Sequence, residues 1–92
     1  MYEKTVQVRN VTGLHARPAS DLVNAAKKFK SKINISCEQD GENYSANAKS
    51  IVMLLSLGAA QGTSVTLSAE GEDEIEAIDT LTNLINSGFG EL

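Results

Sequence analysis

The sequence predicts an α+β domain in which one antiparallel sheet carries its helices on a single face. Two observations support this fold class. Apolar residues alternate with polar ones in four short segments, as in strands with one buried face, and recur every three or four residues in three other segments, as in amphipathic helices. These segments follow the order strand, helix, strand, strand, helix, strand, helix, which is typical of an antiparallel sheet covered by helices.

The four predicted strands share the period of two. Val6 and Val8, for example, alternate with polar neighbours. Asp40-Gly41 separates the second and third strands and is a pair that two-residue hairpin turns favour. Cys37 lies at an inward position of the second strand, where we expect it to pack as a small hydrophobe. The predicted strands cover residues 5–9, 33–38, 44–48 and 65–69.

The first two predicted helices are bounded by residues with known helix-end preferences. An apolar stripe predicts a helix over residues 16–29. Pro18 lies inside its first turn, where a missing N–H costs no intrahelical hydrogen bond, so the helix should begin between Ala16 and Pro18. The second helix runs from about Ser50 to Leu57 and ends at Gly58.

The third predicted helix opens with Glu72-Asp73-Glu74 and ends at Gly88. Acidic residues are favourable near the positive end of a helix dipole, so this run indicates a helix start. We expect its apolar stripe to face the core. The residues of that stripe are Ile75, Ile78, Leu81, Leu84 and Ile85.

Composition narrows the range of functions. With 92 residues the chain is expected to form one domain over residues 1–92. Twelve acidic and eight basic residues give a net charge of −4, which argues against unspecific binding to nucleic acid or to an anionic membrane and favours protein partners. One cysteine, no signal-peptide pattern and no membrane-length apolar run predict a cytoplasmic protein.

The only histidine, His15, lies just before the first helix, and Arg17 follows two residues later. Histidine offers a nucleophilic ring nitrogen near neutral pH, and the first N–H groups of a helix are free to bind an anion. A phosphoryl group on His15 could therefore accept hydrogen bonds from the backbone N–H groups of Ala16 and Arg17, while the Arg17 guanidinium adds positive charge. The pattern predicts an exposed phosphoryl-transfer site.

Four segments carry a resemblance to one family, and the resemblance covers essentially the whole chain in order. They are Gly13-Leu14-His15-Ala16-Arg17-Pro18-Ala19-Ser20, Ala48-Lys49-Ser50-Ile51, Ser56-Leu57-Gly58 and Gln61-Gly62-Thr63. The chain resembles HPr, the histidine-containing phosphocarrier of the phosphoenolpyruvate-dependent sugar phosphotransferase system. The resemblance implies an open-faced β-sandwich in which three helices cover one face of a four-stranded antiparallel sheet.

The resemblance also implies partners. His15 would accept phosphate from enzyme I and pass it to sugar-specific IIA proteins, with Arg17 stabilising the phosphate. No cofactor and no metal is expected, and the partner would complete the transition-state site. Ser50 matches a serine that an ATP-dependent kinase phosphorylates in many Gram-positive members, which converts the protein into a partner of a catabolite-control regulator. A helix N-cap alone would also explain a serine there.

The second helix holds more apolar residues than one buried face can take up. We expect Ile51, Leu54 and Leu55 to be buried, and Val52 and Met53 to form an exposed docking patch for enzyme I and the IIA proteins. The segment 36–44 is a few residues longer than in familiar HPr sequences. We place the additional residues in the hairpin, where insertion is tolerated.

Two alternatives differ from the sugar-system carrier. One is a regulatory binding module that works through Ser50 and the apolar second helix; family members specialised in this way tend to replace the histidine, which this chain keeps. The other is a carrier in a nitrogen-related phosphotransferase branch, with the same chemistry and different partners. A monomer is the simplest expectation for a relay that must expose His15 to successive partners.

Overall fold

Four strands form one antiparallel sheet in the computed structural model, which describes residues 1–90. The sheet order is β1-β4-β2-β3, so β4 and β2 are central and β1 and β3 are the edges. The predicted antiparallel sheet is thus confirmed. The strands are β1 (Tyr2–Gln7), β2 (Lys32–Gln39), β3 (Glu42–Asn47) and β4 (Ser64–Glu70).

Three helices lie on one face of this sheet, as predicted. They are α1 (Arg17–Ala26), α2 (Ile51–Leu57) and α3 (Glu74–Asn86), followed by a short 3-10 turn at Gly88–Gly90. Helix α3 packs against β1 and β4, α2 packs against β3, and α1 contacts both other helices. No helix within residues 1–90 is long and apolar enough to cross a membrane.

The core forms between the sheet and the helices. Alternate strand residues such as Ile35 and Leu67 are fully buried and face the helices, whereas the intervening residues are polar. Cys37 is buried at 4% exposure, as expected. The helical side of the core includes Leu22, Leu54, Ile78, Leu81 and Ile85.

Helix α1 is shorter than predicted. It begins at Arg17, inside the predicted window, but ends at Ala26 and not at residue 29. Lys28 and Phe29 donate their N–H groups to carbonyls three residues earlier, which is the tightened geometry common at helix ends. Phe29 still packs against the core, which explains why the apolar stripe extended past the helix.

Two predicted core positions are wrong. Ile75 is 58% exposed, because it lies in the first turn of α3 at the edge of the stripe centred on Ile78 and Leu81. Leu55 is 44% exposed, because the buried side of α2 is occupied by Leu54 and Leu57. Periodicity identified the helices but not the width of their buried faces.

The hairpin between β2 and β3 has the predicted turn. Asp40 and Gly41 both have positive φ, 53° and 81°, as a tight two-residue turn requires. Gln39 pairs with Glu42 directly across it. Within segment 36–44, all residues except the two turn residues are therefore paired between β2 and β3.

A carboxylate fastens the α1–β2 loop to the start of α3. Asp73 accepts hydrogen bonds from the N–H groups of Lys30 (2.8 Å) and Ser31 (3.0 Å) and from the Ser31 hydroxyl. The Ser31 hydroxyl, followed by the Lys30 N–H, lowers the pKa of Asp73 from 3.8 to about 2. Gly71 lies against Ser31 so closely that a Cβ there would collide with it.

Candidate functional site

His15 lies on the surface immediately before α1. Ala16 occupies the N-cap position and Arg17 is the first helical residue, and all three side chains are exposed. Pro18 is buried in the first turn. The structure therefore places the three residues of the predicted phosphoryl site together, at the helix start that the sequence predicted.

The electrostatic setting suits an anion. The first N–H groups of α1 have no intrahelical partner, and the first turn of α1 contains no acidic residue. Helix α3 differs, because Glu74 and Glu76 lie in its first turn and offset the positive end of its dipole. The uncompensated helix start and the adjacent Arg17 guanidinium concentrate positive charge beside His15.

Ala16 has a backbone conformation that a non-glycine residue rarely adopts. Its φ is 54° and its ψ is −127°. Such a conformation costs on the order of 1–3 kcal/mol and persists only where the surrounding structure enforces it. Its carbonyl accepts the first helical hydrogen bond, from Ser20 N–H at 3.3 Å. No sequence pattern indicates this strain, because alanine is ordinary at a helix start.

The loop that carries His15 is braced by the loop after α2. Leu14 is fully buried and donates its N–H to the Ala59 carbonyl at 2.8 Å. Gly13, with φ of 65°, lies so close that a Cβ would overlap with the Ala59 carbonyl and stand 2.9 Å from the Ala60 Cα. Glycine at position 13 is therefore a requirement of this close approach.

Asn10 is a buried polar residue of the same loop that sequence reasoning missed. It is 1% exposed, and its side-chain amide donates to the Gly13 carbonyl at 2.8 Å and to the Thr12 hydroxyl at 3.1 Å. A signal existed, since Asn10 continues the inward alternation of Val6 and Val8 with a polar residue.

Ser50 caps α2, as predicted. Its hydroxyl accepts a hydrogen bond from Met53 N–H at 3.3 Å. The preceding Lys49 donates to the Phe29 carbonyl, just beyond the C-terminal end of α1. The C-terminal end of α2, by contrast, reaches the His15 loop through Ala59. The start of α2 is thus joined to the segment after α1, and the segment after α2 is joined to the His15 loop.

The exposed apolar surface of α2 is larger than predicted. Val52 is 70% exposed, and Met53 and Leu55 are each 44% exposed. Met53 turns toward β3, where it lines a cavity of about 160 Å³ with Tyr44. A second groove, of about 220 Å³, lies between α1 and α2 and is lined by Ser20, Val23, Asn24, Lys27 and Ile51.

The described part of the chain, residues 1–90, contains no group of three His, Cys, Asp or Glu side chains placed to hold a metal ion. His15 is the only histidine of the sequence. An exposed imidazole is a nucleophile of the kind that accepts a phosphoryl group, and a neighbouring guanidinium can bind phosphate oxygens.

Comparisons with known proteins agree with this geometry. A family model described as "PTS HPr component phosphorylation site" matches residues 2–87. The phosphocarrier protein HPr of Haemophilus influenzae is 44% identical over 92% of this chain and 95% of its own length. The crystal structure of HPr from Thermoanaerobacter tengcongensis superimposes with a TM-score of 0.89 and 52% identity, covering 100% of this chain and 99% of that one.

Longer relatives contain the same unit. The multiphosphoryl transfer protein of Haemophilus influenzae is 44% identical over 95% of this chain, which spans only 17% of that protein; in the Vibrio cholerae counterpart the share is 22%. The match covers the strands, the three helices and the segment around His15. The chain belongs to the HPr family of phosphocarrier proteins of the phosphotransferase system.

Proposed function

We propose that His15 of this chain accepts a phosphoryl group from phospho-enzyme I and passes it to sugar-specific IIA proteins. The observation that carries the proposal is the exposed imidazole at a helix start with no acidic residue in its first turn. In the step itself, a ring nitrogen attacks phosphorus while the bond from phosphorus to the donor breaks. The reverse exchange delivers the group to the acceptor.

The groups next to His15 would bind the oxygens of its phosphate. The N–H groups of Ala16 and Arg17 would donate to the phosphate oxygens, and the Arg17 guanidinium would add a charge-assisted hydrogen bond. An exposed arginine stabilises the phosphorylated form only moderately. This suits a carrier, because tighter binding of the phosphate would oppose its release to the next protein.

The test is phosphorylation of the purified protein by phosphoenolpyruvate and enzyme I, followed by intact mass before and after mild acid. We expect one acid-labile phosphoryl group, absent in His15→Ala. Arg17→Ala should be phosphorylated more slowly, and Arg17→Lys should recover part of the rate because it keeps the charge without the planar fork. A folded protein that takes no phosphate from any enzyme I would contradict the proposal.

Ser50 is proposed as a regulatory phosphorylation site. A phosphate there would place charged oxygens at the N-terminus of α2, beside the exposed Val52, and would add negative charge to a surface used for docking. Incubation with ATP and an HPr serine kinase should label the protein but not Ser50→Ala. Equal labelling of both would assign the modification elsewhere.

The alternatives are separated by the same assays. A regulatory binding module would take phosphate from ATP on Ser50 and none from enzyme I on His15. A nitrogen-branch carrier would accept phosphate on His15 but deliver it to other IIA-type acceptors. We place the protein in the cytoplasm as a monomer, where a single exposed site can meet successive partners.

A further inference from the structure

The segment before His15 contains a buried polar side chain, that of Asn10. Asn10 is 1% exposed; its backbone carbonyl accepts the Gly13 N–H at 3.1 Å, and its side-chain amide NH2 donates to the Gly13 carbonyl at 2.8 Å. Both polar groups of Gly13 are therefore bound by the same residue. A third hydrogen bond, at 3.1 Å, joins the Asn10 amide to the Thr12 hydroxyl.

These contacts define the turn from which His15 emerges. Gly13 has positive φ and lies against Ala59 and Ala60, and Leu14 is held by the Ala59 carbonyl. Two residues later Ala16 has φ of 54°. A strained backbone conformation persists only where the surrounding structure enforces it. Helix α1 holds one flank of Ala16, and the Asn10 turn holds the other through Gly13 and Leu14.

We infer that Asn10 is a positioning residue for His15: its side-chain amide determines where the imidazole stands relative to the first N–H groups of α1. Asn10 itself is buried and does not reach the reacting atoms. This inference rests on the proposed function, because positioning matters only if His15 carries the phosphoryl group.

The variants Asn10→Ala and Asn10→Asp test the inference. Alanine removes the donor, and a carboxylate of nearly the same size cannot donate to the Gly13 carbonyl. Thr82→Val is the matched control, because Thr82 is also buried, lies in α3, and its hydroxyl has no hydrogen-bond partner within the described residues. Urea unfolding at the assay temperature selects conditions in which every variant is folded.

In steady-state transfer from phospho-enzyme I, both Asn10 variants should lose about tenfold or more in kcat, since small displacements of a reacting group lower the rate. The KM should change little, because the exposed surface of α2 proposed for docking is untouched. Thr82→Val should transfer at the wild-type rate. An unchanged kcat in the folded Asn10 variants, or an equal loss in Thr82→Val, would overturn the inference.

A second measurement does not depend on phosphorylation. In amide spectra of the unphosphorylated protein, Asn10→Ala should shift the Leu14, Ala16 and Arg17 resonances and leave those of the β2–β3 hairpin in place. Coincident spectra at residues 14–17 would overturn the inference. If the wild-type protein takes no phosphate while these shifts are observed, the proposed function fails and the structural role of Asn10 stands.

Discussion

The backbone at Ala16 shows how a single residue prepares the site. A conformation that disfavours a Cβ is held between the Gly13 turn and the first turn of α1, so the chain leaves His15 outside the helix and still continues directly into it. Pro18 suits this position, because its missing N–H would have no intrahelical partner in the first turn of α1. The imidazole therefore stands at the start of α1 rather than along its side.

Replacing Ala16 by glycine should raise the stability of the protein. Glycine tolerates positive φ, and relief of about 1–3 kcal/mol of strain should exceed the roughly 0.5–1 kcal/mol of added unfolded-state entropy. We expect the free energy of unfolding in urea to rise by about 1 kcal/mol. Ala25→Gly, at an ordinary helical position in α1, should lower it by a similar amount. A loss of stability in both variants would show that Ala16 is unstrained.

Asp73 should make stability depend on acid pH. Its pKa is lowered from 3.8 to about 2 in the folded protein, chiefly by the Ser31 hydroxyl. A carboxyl group with a lower pKa when folded contributes stability that is fully present above about pH 4 and is lost as the pH falls toward 2.

Urea unfolding of Asp73→Asn measures this contribution. The variant should be less stable than the wild type at pH 7, and the difference should narrow between about pH 4 and pH 2. Ser31→Ala, which removes the hydroxyl donor, should show a smaller version of the same trend. A difference that stays constant across this range would rule out Asp73 as its source.

At the scale of elements, α2 packs into the core and also presents an exposed apolar surface. Leu54 and Leu57 enter the core, whereas Val52, Met53 and Leu55 remain exposed on a helix of only seven residues. An exposed apolar surface of this kind is typical of a contact site. Methionine is flexible enough to adapt to several partners.

Charging this surface should weaken docking without unfolding the protein. Val52→Glu and Met53→Glu should each change the free energy of unfolding by less than about 0.5 kcal/mol, and should raise the concentration needed for half-maximal transfer from enzyme I about tenfold. Ile75→Glu, an equally exposed apolar position on α3, is the control and should transfer normally. Unchanged transfer in the Val52 and Met53 variants would place docking elsewhere.

Both ends of α2 were predictable because their signals are local. Ser50 caps α2 and Gly58 ends it in the left-handed conformation, as their residue types indicate. The exposure of Leu55 and Ile75 was not predictable, because an apolar side chain looks the same in the sequence whether or not a neighbouring element covers it. Asn10 was partly predictable: the alternation of the strand placed it at an inward position, but the sequence did not show which groups it would hydrogen-bond.

The whole molecule has one core between the sheet and the three helices. The central strands β4 and β2 form the sheet side of this core. Leu67, in the middle of β4, is fully buried and pairs with Lys4 of β1 on one side and Ile35 of β2 on the other. The open face of the sheet carries alternating polar residues. Both phosphorylation candidates and the exposed surface of α2 lie on the helical side.

Truncating Leu67 to alanine should destabilise the entire protein by about 2–5 kcal/mol, because it removes fully buried side-chain volume. Leu55→Ala, which truncates a half-exposed leucine, should cost less than about 1 kcal/mol. Urea unfolding monitored by circular dichroism measures the loss of stability in each variant. Equal losses in the two variants would contradict the single-core arrangement.

The sequence alone leads to the fold class, the helix starts and the residues of the His15 site, because hydrophobic periodicity, helix capping and a short motif act over a few neighbouring positions. The tertiary structure was needed for the brace beneath that site. The close contact of Gly13 with Ala59 and the hydrogen bond from Leu14 to Ala59 arise when the loop before α1 meets the loop after α2, more than forty residues away along the chain. Packing between such distant segments depends on the positions of all elements at once, and no local pattern records it.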